Sequence, residues 1–416
     1  MQIVSYSELP AEFFEFKLFN KLPSVHAIIE DVKKRKDEAL IDYSRQFGDG
    51  DIKNIELTQA EIDAAFKKVH DNTICAIKIA IENVKRFAHT QRASIKEVEL
   101  FSNGGTLGQK IIPLRITGAY VPGGNYPLPS SAIMSVVPAK VAGVQEVVVC
   151  SPKIQDVTVV AASLAGADRI FRVGGVQAIA AMAYGTETIP KVDKITGPGN
   201  KFVTMAKKLV YGDCGIDFLA GPSEVLIIAD DSAKPDFIAA DMLAQCEHDA
   251  DASAILITNS ELLAYRVSDK INEFLPKLKT GKIAQAALEN SYIIMVDDLS
   301  MAVEIANRKA PEHLELIVKN EGDYIDKLTN YGSLFIGNYS LEALGDYCSG
   351  TNHILPTNGV ARYSAGLSVF DFLKIQTWQK FTGSSSSRDI TKVASHLAHI
   401  EGLSAHKMAC DIRLDL

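Results

Sequence analysis

Histidines sit beside carboxylates in four short stretches of this chain: Gln245-Cys246-Glu247-His248-Asp249, Glu312-His313-Leu314-Glu315, Asp346 ahead of His353, and Glu401 ahead of His406. Imidazole and carboxylate gathered in this way can hold a divalent metal, or can act as a general base with the group that orients it. The spacings are not those of a local zinc module, so such a site has to be assembled from distant segments. Gln245 and His248, at i and i+3, share one face near the end of a helix. Judged by donor type alone, Glu247 is a better metal ligand than Gln245, because carboxylate is the commoner hard donor. Cys246 lies in a helical stretch with no adjacent basic residue, which suits an inert buried thiol rather than a nucleophile. His26, His70 and His89 fall among charged residues and read as solvated surface.

Glycine marks a second kind of chemistry. Three strand-to-helix turns carry it: VPGGNYPLP after Val121, VGGVQ after Val173 and TGPGN after Thr196. In open α/β sheets ligands bind at the carboxyl ends of strands, where glycine lets the backbone approach a phosphate and helix N-termini favour anions. One such loop needs no more explanation than a tight turn. Three in consecutive strand–helix units point to a bound nucleotide or dinucleotide. Gly197-Pro198-Gly199-Asn200 nevertheless departs from the dinucleotide fingerprint: Phe202 stands where the third glycine would, and no acidic ribose ligand lies at the usual distance.

The elements that must position these residues follow a clear rhythm. Strands are expected over Ile116–Val121, Glu146–Cys150, Asp168–Val173, Lys191–Thr196, Glu224–Ala229, Ala252–Thr258 and Tyr292–Val296. Helices are expected between them, over Ala132–Ala142, Val157–Ala165, Val176–Tyr184, Phe202–Tyr211, Asp236–Glu247 and Glu261–Leu278. The strands are near-continuous apolar runs, as when helices cover both faces of a parallel sheet, so the fold class is doubly wound α/β. Residues 24–47 and 59–92 carry helical spacing; the tail beyond about residue 370 reads as polar and helix-rich, with Gly383–Ser387 as a loop.

Composition bounds the rest. The 416 residues carry 43 basic and 51 acidic side chains, a net charge of −8, which lacks the basic footprint of a nucleic-acid-binding protein. Hydrophobic residues at 47% and charged residues at 23% are globular values and exclude disorder. The six cysteines are scattered without paired spacing, which suits a reducing compartment. The N-terminus lacks the pattern of a signal peptide and no window is apolar enough to span a bilayer, so a cytoplasmic location is expected.

Longer strings carry a resemblance. GAYVPGGNYPLPSS, GGVQAIAAMAYG, KVDKITGPGNKFVT, IDFLAGPSEVLIIAD, QCEHD, APEHLEL, GDYCSGTNHILPT and EGLSAHKMA, in this order from about residue 110 to 410, resemble the histidinol dehydrogenase family. The resemblance implies two Rossmann-like units, with helical arms at both ends and a terminal segment exchanged across a homodimer. It divides the chain into an arm (1–15), a discontinuous α/β unit (16–119 with 223–368), an inserted Rossmann-like unit (120–222) and a C-terminal helical arm (369–416). It also implies oxidation of L-histidinol to L-histidine through a bound aldehyde, with two NAD reduced and one zinc per subunit. By motif position the zinc ligands are Gln245, His248, Asp346 and His406, the last crossing from the other chain, so Gln245 displaces Glu247. Glu312 and His313 are the acid–base pair, a neutral His313 taking the hydroxyl proton and Glu312 activating water for the aldehyde. Ser223, His353 and Glu401 match substrate contacts, together with His313 and the four ligands; Tyr120, Gln177 and Asn200 match NAD contacts. Cys246 and Cys348 depart from the familiar pattern without replacing any of these residues.

Two other readings are compatible with the fold. One is a related dehydrogenase for another small amino or hydroxy alcohol, against which His353 and Glu401 weigh. The other is a nucleotide-binding regulatory module, which would have no use for a complete acid–base and ligand set.

Overall fold

The apolar β-branched runs become two parallel sheets, each wrapped by helices. The structure, a computed structural model, describes residues 1–15, 24–50, 52, 54–123 and 126–415. Gly124 and Asn125 of the first glycine loop, and residues 16–23, lie outside the described residues.

In chain order β1 (Gln2–Ser5) is followed by helices α1 (His26–Arg35), α2 (Asp37–Gln46), α3 (Gln59–Lys68) and α4 (Asp71–Ser94), then the hairpin β2 (Val98–Ser102) and β3 (Gly105–Pro113). A first alternating unit runs β4 (Ile116–Tyr120), α5 (Pro129–Ala142), β5 (Glu146–Cys150), α6 (Asp156–Ala165), β6 (Arg169–Phe171), α7 (Gly175–Tyr184), β7 (Lys194–Thr196), α8 (Lys201–Val210) and β8 (Gly215–Ile216). A second runs β9 (Glu224–Ala229), α9 (Pro235–Cys246), β10 (Ser253–Thr258), α10 (Glu261–Phe274), α11 (Gly281–Ala287), β11 (Tyr292–Met295), α12 (Leu299–Lys309), β12 (His313–Ile317), β13 (Ser333–Ile336) and α13 (Glu342–Tyr347). The chain ends with β14 (Leu373–Phe381), α14 (Ser385–Ile400) and α15 (Ser404–Leu414).

The smaller parallel sheet has the order β6-β5-β4-β7-β8 and the larger β1-β11-β10-β9-β12-β13. Both grow outward from their first strand in one direction and then reverse, so each has a switch point, between β4 and β7 and between β9 and β12. Residues 26–94, joined by the sequence reading to residues 223–368, supply the outer layers of the smaller sheet. Ile29, Val32 and Leu40 pack with α7 and α8 on one face, and Ile77 and Val84 with α5 and α6 on the other. Among the described residues no helix is long and apolar enough to cross a membrane.

Several elements differ from expectation. The stretch 24–47 breaks at Lys36, whose φ of 55° ends α1 and starts α2. The helix expected to Leu278 stops at Phe274 and tightens into a 3-10 turn around Pro276. The tail is not all helix: β14 joins β3 and β2 in an antiparallel sheet. Gly383–Ser387 is not a plain loop either, since Ser384 caps α14 by accepting from Ser387 N and the following serines form its first turn.

One buried ion pair fixes a loop that matters below. Lys207 and Asp217 are 3% and 1% exposed and bonded to each other. Lys207 Nζ also donates to Gly197 O at 3.0 Å, while Asp217 Oδ2 accepts from Gly197 N at 2.8 Å. The TGPGN turn is therefore clamped on both sides. Gly197 itself tolerates no side chain, because at φ 109° a Cβ would stand 2.0 Å from Tyr120 O. Asp217→Asn leaves the ammonium buried and unpaired, and is expected to lower the unfolding free energy by about 3–5 kcal/mol. Urea denaturation reads this directly; a loss under about 1 kcal/mol would show that the pair contributes little.

Candidate active site

The residues singled out by type converge at the amino edge of the larger sheet, on both sides of its switch point. Glu224 opens β9 and His313 opens β12, and the two strands are paired with His313 opposite Val225. This register brings Glu312 beside Glu224, whose backbone N donates to Glu312 Oε2 at 3.0 Å. Helix α9 runs back against the strands and delivers Gln245 and then His248 to the same edge. Helix α13, after β13, brings Glu342 and Asp346 on one face, and the loop beyond it carries His353.

Distances define the cluster. His313 Nε2 lies 3.6 Å from Asp346 Oδ1, and its Nδ1 lies 3.8 Å from both Glu312 Oε2 and Glu342 Oε1. His248 Nε2 lies 4.0 Å from Asp346 Oδ2. His353 Nδ1 meets the Asp346 carbonyl oxygen at 2.7 Å; a carbonyl only accepts, so this nitrogen carries the proton and Nε2 keeps its lone pair. The Gln245 amide orients by its neighbours, its nitrogen donating to Glu342 Oε1 at 2.8 Å and Oε2 at 2.9 Å, which turns the carbonyl oxygen the other way.

Burial sets the charges. It pushes the Glu312 carboxyl up to about 8, against the pull of the neighbouring His313 charge. Glu342 is pushed up to about 7 for the same reason, and Glu224 is raised. Burial works against a charged His313, yet Glu342, Glu312 and Asp346 outweigh it and lift the imidazole to about 10. The carboxylates thus favour the charged imidazole, whereas the sequence reading has His313 act from its neutral form. Asp346, though buried, lies below its ordinary range because His313 stands beside it. Burial lowers His353 and keeps it neutral. Burial also pushes the Cys246 thiol up to about 11, in line with an inert cysteine.

His248, Glu342 and Asp346 present ligand atoms all within 4.8 Å of one another. The residues fit a divalent ion. Carboxylates outnumber cations here, His313 Nε2 is buried without a hydrogen-bond partner, and the His248–Asp346 gap of 4.0 Å is short enough for two bonds of about 2.1 Å to meet at one ion. The donors are nitrogen and oxygen with no thiolate, a set that zinc accepts. His406 and Glu401 are not brought to this cluster within the chain; they are exposed, on the C-terminal arm.

The second group gathers at the carboxyl ends of the smaller sheet. Tyr120 ends β4, and its hydroxyl accepts from Gly175 N at 3.1 Å. Gln177, in the first turn of α7, is buried with Oε1 lacking a partner. Asn200 caps α8, its oxygen accepting from Phe202 N and Val203 N at 3.0 and 3.2 Å. The 348–358 loop ties the two regions. Asn83 of α4 donates to Cys348 O and Asn352 donates to Met134 O of α5, both at 2.8 Å, while Asn358 N donates to Glu224 Oε1 at 2.7 Å. Ser223 lies immediately before Glu224, its carbonyl accepting from Ser253 N at 3.1 Å.

Sequence reasoning missed Glu224 and Glu342, and gave Glu315 no role of its own. Glu315 is 1% exposed inside the apolar run HLELI, and Glu224 is 6% exposed at the head of EVLIIA. An acid embedded in a strand of this kind is itself a signal, because a buried carboxylate needs a partner. Glu342, four residues before Asp346, was legible as its helix-face neighbour.

The histidinol dehydrogenase family model matches residues 17–414. A histidinol dehydrogenase of Clostridium acetobutylicum is 46% identical over 398 residues, covering 94% of this chain and 92% of that protein. One of Methanocaldococcus jannaschii is also 46% identical, with the same coverage of both chains. The crystal structure of histidinol dehydrogenase from Elizabethkingia anophelis superposes with a TM-score of 0.92 at 37% identity, covering all of this chain (100%) and 98% of that one.

Proposed function

The chain belongs to the histidinol dehydrogenase family of NAD-dependent oxidoreductases, and on that premise we propose that it oxidises L-histidinol to L-histidine through a bound aldehyde, in two steps that each reduce one NAD. The observation that carries this reading is the buried Glu312–His313 pair at the head of β12, set among His248, Gln245, Asp346 and His353.

Zinc, when bound, would supply a Lewis-acidic anchor that orients the imidazole and amine of histidinol. Gln245, by the oxygen it turns away from Glu342, would hold it with His248, Asp346 and His406 of the partner subunit. NAD, when bound, would supply the hydride acceptor at the carboxyl ends of β4, β6 and β7, where Tyr120, Gln177 and Asn200 stand. His313, in its neutral form, takes the hydroxyl proton in the first step. Glu312 activates water for addition to the aldehyde in the second step. Ser223 and His353, with Glu401 of the partner subunit, position the polar ends of the substrate, His353 through the lone pair left on Nε2.

A homodimer with shared sites accompanies this reading. On α14 and α15 the side chains Ile390, Val393, Leu397, Ile400, Met408 and Ile412 are exposed, an apolar face suited to a second subunit. The deciding assay is NADH formed per histidinol consumed, with and without a chelator. Two NADH per histidinol, lost on chelation and restored by zinc, is the expected result. No NADH would overturn the reading, and one NADH per histidinol would overturn the second oxidation.

A further inference from the structure

Helix α13 carries Asp346, yet it is six residues long and Leu341, at its N-cap, offers no side-chain cap. A helix of that length does not hold itself in place by its own hydrogen bonds. Glu342, its first residue, is 2% exposed, so its backbone N–H must find a partner within the protein.

That partner comes from β12. Glu315 Oε1 accepts from Glu342 N at 3.3 Å. Side chains alternate along a strand, so Glu315 and His313, two residues apart, project from the same face of the sheet. The strand itself is fixed on both sides, Glu315 standing opposite Ile227 of β9 and Phe335 of β13. A second anchor of α13 is apolar. Gly345 lies so close to the Phe335 ring that a Cβ there would stand 2.7 Å from its Cε1. The start and the middle of α13 are thus seated on β12 and β13.

Glu315 is a destabilising choice for its strand. It is 1% exposed among apolar neighbours, and its Oε2 is buried without a hydrogen-bond partner. A buried acid that makes one bond through one oxygen adds nothing to strand stability that an aliphatic side chain would not exceed. What it does supply is register between β12 and α13. Across that junction His313 Nε2 lies 3.6 Å from Asp346 Oδ1, and Glu342 Oε1 takes the Gln245 amide nitrogen at 2.8 Å.

We infer that Glu315 is a positioning residue for the metal site: its hold on the first N–H of α13 sets Asp346, and through Glu342 the oxygen of Gln245, where both can share one zinc ion with His248. The inference rests on the zinc-dependent reading of the chain and adds to it a residue outside the ligand set.

Equilibrium competition between the full-length, zinc-free protein and a chromophoric chelator measures zinc affinity without turnover. Glu315→Asp keeps the carboxyl but withdraws it by one methylene from Glu342 N. It is expected to weaken zinc binding about 10–100-fold, the usual effect of removing a group that orients metal ligands. Glu315→Gln keeps an oxygen at the same reach and is expected to bind zinc as the parent does. Melting curves of the zinc-free variants report the fold separately. Should the Asp chain not fold, Gly345→Ala, which drives α13 off the Phe335 ring with Glu315 intact, must show the loss instead. An Asp variant that melts lower yet binds zinc as tightly as the parent would overturn the inference, because the role of Glu315 would then be structural alone. Equal losses in the Asp and Gln variants would overturn it too, since charge rather than reach would be at stake. A parent that binds no zinc would overturn the zinc reading itself, and the inference with it.

Discussion

Glu312→Gln should slow oxidation of histidinaldehyde by about 10²–10⁴-fold, the ordinary contribution of a general base, while oxidation of histidinol to the aldehyde falls less than about tenfold. The reason is the division between neighbours. His313 serves the proton on the substrate hydroxyl, but only the second step needs a water activated. The substitution is conservative for the fold, because glutamine can still accept from Glu224 N, the bond that Glu312 Oε2 makes at 3.0 Å. The pH profile supplies a second reading. Burial raises Glu312 to about 8, so the carboxyl keeps its proton below that pH and is a base above it. In the parent protein the aldehyde step should therefore quicken as pH rises toward about 8 and level off beyond, and this limb should vanish in the variant. Single-turnover measurements starting from the alcohol and from the aldehyde separate the two steps. Equal losses in both would refute the division of labour.

What could be read from the sequence depended on how each element meets its surroundings. EVVVC, EVLIIA and SAILIT announced themselves because strands covered on both faces are apolar throughout. HLELI belongs to the same sheet but hid, since His313 and Glu315 interrupt the run for the sake of the site. LKIQTWQKF hid for the opposite reason: β14 is largely exposed on both faces, so its polar side chains look like those of a loop or helix. The break at Lys36 left no mark either, being a backbone conformation with no glycine to signal it. Of the site, Gln245 with His248 was visible as a helix-face pair, and Glu312-His313 as adjacent donors. The carboxylate excess was not, because Glu224, Glu315 and Glu342 converge only through sheet register and the return of α13. That convergence also surrounds His313 with carboxylates that favour its charged form, which no local spacing could have shown.

His406→Asn and His313→Asn chains, each inactive alone, should regain about a quarter of the parent activity when unfolded together and refolded as a mixture. Within one chain His406 is exposed on α15, whereas His248 and Asp346 converge at the amino edge of the larger sheet. A ligand set that includes His406 is therefore completed only by another subunit. The arm is compatible with such a reach: α14 and α15 pack chiefly on each other and leave Leu397, Ile400 and Met408 exposed, an apolar surface suited to a second subunit. Random pairing makes half of the dimers mixed. In each mixed dimer, one site combines the intact His313 of one chain with the intact His406 of the other, and the second site lacks both. One competent site in two, in half of the molecules, gives the quarter. The His313→Asn chain leaves a buried carboxylate cluster without its cation, so its recovery of fold must be checked by its melting curve before mixing. A mixture no more active than its components would show that each chain completes its own site and that His406 serves only the arm. Recovery that peaks at an equal mixture of the two chains and falls on either side would instead fix His406 as a ligand donated across the dimer.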